Sequence, residues 1–160
     1  MTLQEVVARF NTTPFLFAGS GITRRYYGLP DWVGLLTHFA EKVKNDQFAF
    51  RYYESKVSEL EDSDKLPTIA SYIEKDFNEA WFNNLPGIRS ESENVQRSIA
   101  EGVSPFKAEI AEYINSISVV KNEYQEEVKK LQNIAKNNIS GVITTNYDCF
   151  FEILFDVFMR

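Results

Sequence analysis

Phe15-Leu16-Phe17-Ala18-Gly19-Ser20-Gly21-Ile22-Thr23 is the stretch whose reading decides the fold. Its first four residues are apolar, too short a run for a helix and suited to a strand buried on both faces. Gly-Ser-Gly then ends the run. Two glycines around one small residue allow positive φ and let the backbone approach a ligand closely. If a helix starts just beyond, the N–H groups of such a turn form a concave site for an anion. The same three residues also make an ordinary tight turn.

A second stretch, Val142-Ile143-Thr144-Thr145-Asn146-Tyr147-Asp148, bears on that choice. Its β-branched start predicts a second buried strand over 142–145. Polar groups crowd the end of that strand. Strand, helical block and strand make one crossover unit, and parallel strands put their C-terminal ends on the same edge. Gly19-Ser20-Gly21 and Asn146-Tyr147-Asp148 then face one crevice, the place where open α/β sheets bind ligands. The expected fold class is α/β, a partial Rossmann-like parallel sheet with two core strands and a large α-helical insertion over about 45–138.

The rest of the chain reads as helices. Thr2-Leu3-Gln4-Glu5 has the form of a capping box and opens a helix to about Phe10, ended by Thr12-Thr13-Pro14. Asp31 is the expected N-cap of a helix from Trp32 to about Val43, with Trp32, Leu35, Leu36, Phe39 and Val43 on one side. Phe50, Tyr53, Val57 and Leu60 make the next stripe. Glu61 to Asp64 is a break, followed by a stripe of Ile69, Ile73, Phe77, Ala80 and Trp81. A polar helix is expected from Glu91 to Glu101. Ser104-Pro105 reads as N-cap and first residue of a helix burying Phe106, Ile110, Ile114 and Ile117. Another follows over about 121–136, with Tyr124, Val128, Leu131 and Ala135 inward and a Glu126–Lys130 surface pair. A final helix from about Asp148 to Met159 carries Phe150, Phe151, Ile153 and Leu154 among apolar residues that cover most of its circumference, which predicts burial on several sides. These stripes read as packing rather than as a cofactor box.

Composition narrows the function classes. A net charge of −6 over 160 residues argues against a nucleic-acid surface, which needs a clustered basic face. No apolar run approaches the roughly 20 residues that cross a bilayer, and the N-terminus lacks the pattern of a secretion signal. The single cysteine, Cys149, rules out an internal disulfide and a four-cysteine zinc site. No metal is expected, and the cytoplasm is the expected location. His38, the one histidine, lies off the apolar side of its helix. It reads as a boundary or solvent-facing residue and a poor catalytic base.

Gly19-Ser20-Gly21-Ile22-Thr23, with Gly28-Leu29-Pro30-Asp31-Trp32 after it, resembles the sirtuin pattern Gly-Ala-Gly-Ile-Ser followed by Gly-Ile-Pro-Asp-Phe. Thr144-Thr145-Asn146-Tyr147-Asp148 resembles the sirtuin Thr-Gln-Asn-Ile-Asp. The form is most similar to the divergent bacterial sirtuin-like domains of anti-phage defence proteins. Those share the Leu-Pro-x-Trp-x-x-Leu-Leu run seen at Leu29 to Leu36, and a helical insertion between the motifs. The resemblance implies NAD+ as substrate, hydrolysed to nicotinamide and ADP-ribose when infection is sensed.

Carried over by that resemblance, Ser20, Gly21 and Ile22 correspond to backbone that meets the diphosphate. Gly19, Thr23, Arg24, Asp31 and Thr145 fall in the matching cofactor-binding segments. Asn146 corresponds to the asparagine that contacts the nicotinamide ribose and positions water, and Asp148 to the aspartate that recognises the carboxamide. These two are the candidate catalytic residues. Cleaving the ribose–nicotinamide bond builds oxocarbenium-like charge, which an amide oxygen and a carboxylate can stabilise in a water-poor pocket. From the residues alone, Asn146 and Asp148 equally suit an Asx turn or a helix cap. Arg24 and Arg25 either approach phosphates or stay in solvent.

The family's histidine lies in a later His-Gly segment with no counterpart in these 160 residues, and the adenosine-binding strands and four-cysteine zinc module are likewise without one. The chain is therefore expected to be the N-terminal portion of a single sirtuin-like domain, with little or no NAD+ turnover by itself. Cys149 lacks a cationic partner and does not read as a nucleophile. Expected partners are NAD+ or ADP-ribose, further copies in a homo-oligomer, and a phage protein or defence-system partner engaged by a C-terminal region. The alternative class is a non-catalytic oligomerisation or ADP-ribose-sensing module. Protein deacylation ranks third.

Overall fold

A computed structural model describes residues 13–154. The helix expected over 2–10, and the expected continuation of the last helix past Leu154, lie outside the described residues. In chain order the elements are β1 (Phe15–Ala18), α1 (Gly21–Tyr26), α2 (Trp32–Lys44), α3 (Ala49–Ser55), α4 (Asp62–Phe82), α5 (Glu93–Ala100) and α6 (Pro105–Ile117). A short 3-10 turn (Asn122–Tyr124) leads into α7 (Gln125–Asn138), β2 (Gly141–Thr144) and α8 (Phe150–Leu154). They fall into two compact units, one taking in the described residues up to Leu29 and those from Ile117 on, the other Pro30–Ser116.

In the first unit β1 and β2 pair in parallel, in the register Phe15↔Gly141, Leu16↔Val142, Phe17↔Ile143 and Ala18↔Thr144. The second strand begins one residue earlier than its β-branched run suggests. Gly141 joins it by pairing with Phe15, whose ring lies against the glycine, 2.8 Å from where an added Cβ would stand. Thr145 leaves it because the chain turns there, with the Asn146 N–H donating to Thr144 Oγ1 at 3.1 Å.

Burial on both faces does not hold. Phe15, Phe17 and Ile143 are 64%, 71% and 52% exposed, and alternation together with the pairing register puts all three on one face. An apolar run reports affinity for a core, not which of its two sides has one.

The positive φ expected of the Gly-Ser-Gly turn belongs to another glycine. Neither Gly19 nor Gly21 takes it, whereas Gly28 has φ +78°. There α1 ends in a left-handed cap, with the Tyr27 N–H bonded to Thr23 O at 2.9 Å and the Gly28 N–H to Arg24 O at 3.0 Å. The Lys121 side chain crowds the same spot, 2.7 Å from where a Cβ on Gly28 would stand. Glu126 pairs with Lys129 at 2.7 Å instead of with Lys130. In α8 Phe150, Phe151 and Leu154 are buried but Ile153 is 62% exposed, so the apolar residues of its described part are not all covered.

The second unit is helical. Asp31 caps α2, its Oδ1 accepting the Gly34 N–H at 2.8 Å. Leu35, Leu36 and Phe39 are buried as expected, while Trp32 is left in solvent. The aromatic core is centred on Phe39, which meets Phe77 edge-on at 5.5 Å and Phe106 at 5.4 Å. The charged stretch after Leu60 opens α4 instead of breaking the chain, because Asp62 and Asp64 in a first turn complement the helix dipole. Leu60 itself is exposed. On α6, Phe106 and Ile114 are buried, Ile110 and Ile117 only partly so, and the buried face includes a carboxylate the apolar spacing did not reveal, Glu109. It accepts from Trp81 Nε1 at 3.2 Å and from the Ser90 N–H at 2.8 Å.

Among the described residues no helix is long and apolar enough to cross a membrane.

Candidate functional site

Because Ala18 pairs with Thr144 in a parallel ladder, the residues that follow both strands emerge at one edge. One chain continues as Gly19-Ser20 into α1, the other as Thr145-Asn146-Tyr147-Asp148 into α8. The helix expected just beyond the glycine turn is there, starting at Gly21. The Ile22 N–H is bonded to Gly19 O at 3.3 Å, and Ser20 O receives the Arg24 N–H at 2.9 Å. Gly19, Ser20 and Gly21 are exposed, and a Cβ added to either glycine would meet nothing within 4 Å among the described residues. The space in front of this backbone is open.

Thr23 lies one turn into α1 and is only 1% exposed. Its hydroxyl donates to Ser20 O at 3.1 Å, the i−3 back-bond that threonine makes in helices. The same oxygen accepts from Asn146 Nδ2 at 3.4 Å, joining two motifs separated by 123 positions. Thr23 was expected against the cofactor. Its hydroxyl instead faces inward and is committed to protein partners.

Asn146 Oδ1 is buried and has no hydrogen-bond partner among the described residues. A buried acceptor in that state is costly unless something supplies a donor. Asp148, 6% exposed, uses Oδ1 to accept the Phe150 N–H at 3.0 Å. It therefore closes an Asx turn that caps the first N–H of α8, the structural alternative that its residue type left open. Thr145 and Arg24 are exposed, and Ile22 is half-buried.

Aromatic rings sit beneath this edge. Phe150 stacks on Tyr26 at 5.4 Å and 9° and meets Tyr27 edge-on at 5.1 Å. Burial, and after it the Asp148 carboxylate, pushes the Tyr27 phenol above its ordinary value, keeping it neutral. Tyr26 Oη donates to Glu127 Oε1 at 3.1 Å. Arg25 pairs with Glu127 at 2.9 Å and lies over the Tyr124 ring at 4.7 Å. Arg25 is thus engaged with α7 and not extended toward a phosphate. Hydrogen bonding from Arg25 in turn holds the Glu127 carboxyl below its usual range.

The structure thus brings Gly19, Ser20, Gly21, Ile22, Thr23 and Arg24 into one unit with Thr145, Asn146 and Asp148. Asp31 belongs to the other unit, where its carboxylate is occupied as a helix cap. His38 is also there, half-buried and stacked on Tyr113 at 4.1 Å, and burial, then Lys42, lowers its pKa. That is the boundary position its helix spacing indicated. Tyr26, Tyr27, Phe150 and Glu127 were not singled out for the site. Nothing in their local spacing separates a ring under a binding edge from an ordinary core ring.

Chemically, Asn146 Oδ1 can take a hydroxyl or water proton in a hydrogen bond. Asp148 contributes a fixed negative charge. Both can stabilise positive charge at a sugar. Among the described residues no group of three or more histidine, cysteine or acidic side chains could hold a metal ion. No protein-family model matches this chain, and no curated protein or solved structure does either.

Proposed function

We propose that this chain is part of a sirtuin-like domain with a Rossmann-like sheet, binding NAD+ at the shared edge of β1 and β2. The observation that supports the reading is the contact between the two motifs at Thr23 and Asn146, with Asn146 Oδ1 left buried and unpaired beside it. In this account the open backbone of Gly19 to Gly21 lies along the diphosphate. Asn146 Oδ1 accepts from a ribose hydroxyl or from the attacking water. Asp148, with one oxygen capping α8, has the other for the carboxamide and lends its charge to the developing oxocarbenium ion.

On this reading the protein hydrolyses NAD+ to nicotinamide and ADP-ribose in the cytoplasm as an anti-phage response. The test follows nicotinamide release from NAD+, by this chain and by the longer protein. We expect robust release by the longer protein, loss of it with Asn146→Ala at unchanged thermal stability, and little release by this chain. Full activity of the Asn146→Ala protein removes that residue from the mechanism.

A second reading is favoured by the capping bond of Asp148, which gives that carboxylate a structural duty. The edge then binds ADP-ribose without turnover, as a sensor or assembly module. The open face of Phe15, Phe17 and Ile143 fits a role in homo-oligomers. Calorimetric binding of ADP-ribose by an otherwise inactive full-length protein distinguishes it.

A further inference from the structure

We infer that Thr23 is a positioning residue: its hydroxyl decides which end of the Asn146 carboxamide faces the ligand, so the site takes a hydrogen-bond donor at that point. A threonine hydroxyl has one proton. Ser20 O, a carbonyl that can only accept, takes that proton at 3.1 Å. Toward Asn146 the Thr23 oxygen can then only accept. Asn146 must therefore turn its NH2 group to Thr23, the contact found at 3.4 Å. The orientation of a carboxamide is set by its network. Ser20 O also receives the Arg24 N–H, and the orientation found is the one that keeps both contacts of the Thr23 hydroxyl, whereas the flipped carboxamide would take its proton from Ser20 O.

The consequence falls on the other end of the carboxamide. Oδ1 is directed away from Thr23 into a buried position where no donor among the described residues meets it. A ligand hydroxyl or a bound water satisfies it. A phosphate oxygen or a carbonyl, both acceptors, is refused. Flipped by 180°, the same asparagine selects the opposite chemistry. Thr23 is 1% exposed and touches no ligand in this account. It acts through the carboxamide of Asn146. The ligand half of the inference rests on the NAD+ reading, whereas the carboxamide orientation does not.

Two variants test it on the whole chain, Thr23→Val, which removes the hydroxyl at similar shape, and Thr23→Ser, which keeps it. Calorimetry with ADP-ribose should show Thr23→Val binding weaker by about tenfold and Thr23→Ser within about threefold of wild type. In 15N-labelled protein the Asn146 side-chain amide protons should be protected from exchange in wild type and Thr23→Ser, and lose protection in Thr23→Val. Equal affinity and equal protection in Thr23→Val overturn the inference. If wild type binds no ADP-ribose, the NAD+ reading fails, and amide protection alone then decides the orientation. If Thr23→Val does not fold, the wild-type protein still decides. A nuclear Overhauser contact between the Asn146 amide protons and the Thr23 methyl is expected, and its absence overturns the proposal.

Discussion

Asn146 and Asp148 share one short loop and hold opposite hydrogen-bonding states. Asn146 Oδ1 is buried with nothing bonded to it among the described residues, while Asp148 Oδ1 receives the Phe150 N–H at 3.0 Å. One residue has an acceptor that a ligand hydroxyl or a water can fill. The other already contributes to the fold, so its substitution affects two properties that have to be measured apart.

Asp148→Asn separates them. The amide keeps an acceptor for the Phe150 N–H and removes the charge, so the unfolding midpoint should stay near that of wild type. Asp148→Ala loses the cap and should cost about 1 kcal/mol in chemical denaturation. Where NAD+ turnover is measurable, impaired nicotinamide release by a fully stable Asp148→Asn assigns the charge to catalysis. Full activity there leaves Asp148 as a cap alone.

Glu109 is a buried carboxylate held by Trp81 Nε1 and the Ser90 N–H, with Lys42 Nζ 3.7 Å away. Glu109→Ala leaves two donors without an acceptor and should destabilise the helical unit by about 2–3 kcal/mol. Glu109→Gln keeps an acceptor oxygen and should recover most of that loss. Urea unfolding followed by tryptophan fluorescence reads both, and equal stability of the Ala variant and wild type would contradict the role given to Glu109.

His38 gives a pH signature. Burial lowers its pKa below 6.5 in the folded state, so between the folded value and 6.5 the unfolded chain binds more protons. Stability from this group is present above 6.5 and is lost as pH falls through the window down to the folded value. His38→Phe retains a ring for Tyr113 and should flatten that part of the stability–pH curve. An unchanged slope in the variant would assign it to other groups.

Much of this was legible in the chain itself. The bounds of β1, the Asp31 cap, the start of α6 at Pro105 and the meeting of two distant motifs at one edge follow from turn chemistry, period and the geometry of parallel strands. Those signals are local or topological. What escaped is set by contacts remote in sequence. Glu109 reads as an exposed helix residue until Trp81 and Ser90 are brought to it. Gly28 rather than Gly19 or Gly21 needs the left-handed backbone, because the turn after β1 passes straight into a helix. The open side of Phe15 and Phe17 shows only when the sheet has a partner on one face and none on the other among the described residues.

The central claim is that the glycine turn and the Asn146–Asp148 loop hold one ligand together. Backbone amide shifts of the labelled chain, followed by NMR while ADP-ribose is added, test it most directly. The account predicts saturable shifts in Gly19 to Ile22 and in Thr145 to Asp148 that fit a single dissociation constant. Absence of shifts at saturating ADP-ribose, or shifts confined to residues away from both segments, would contradict it.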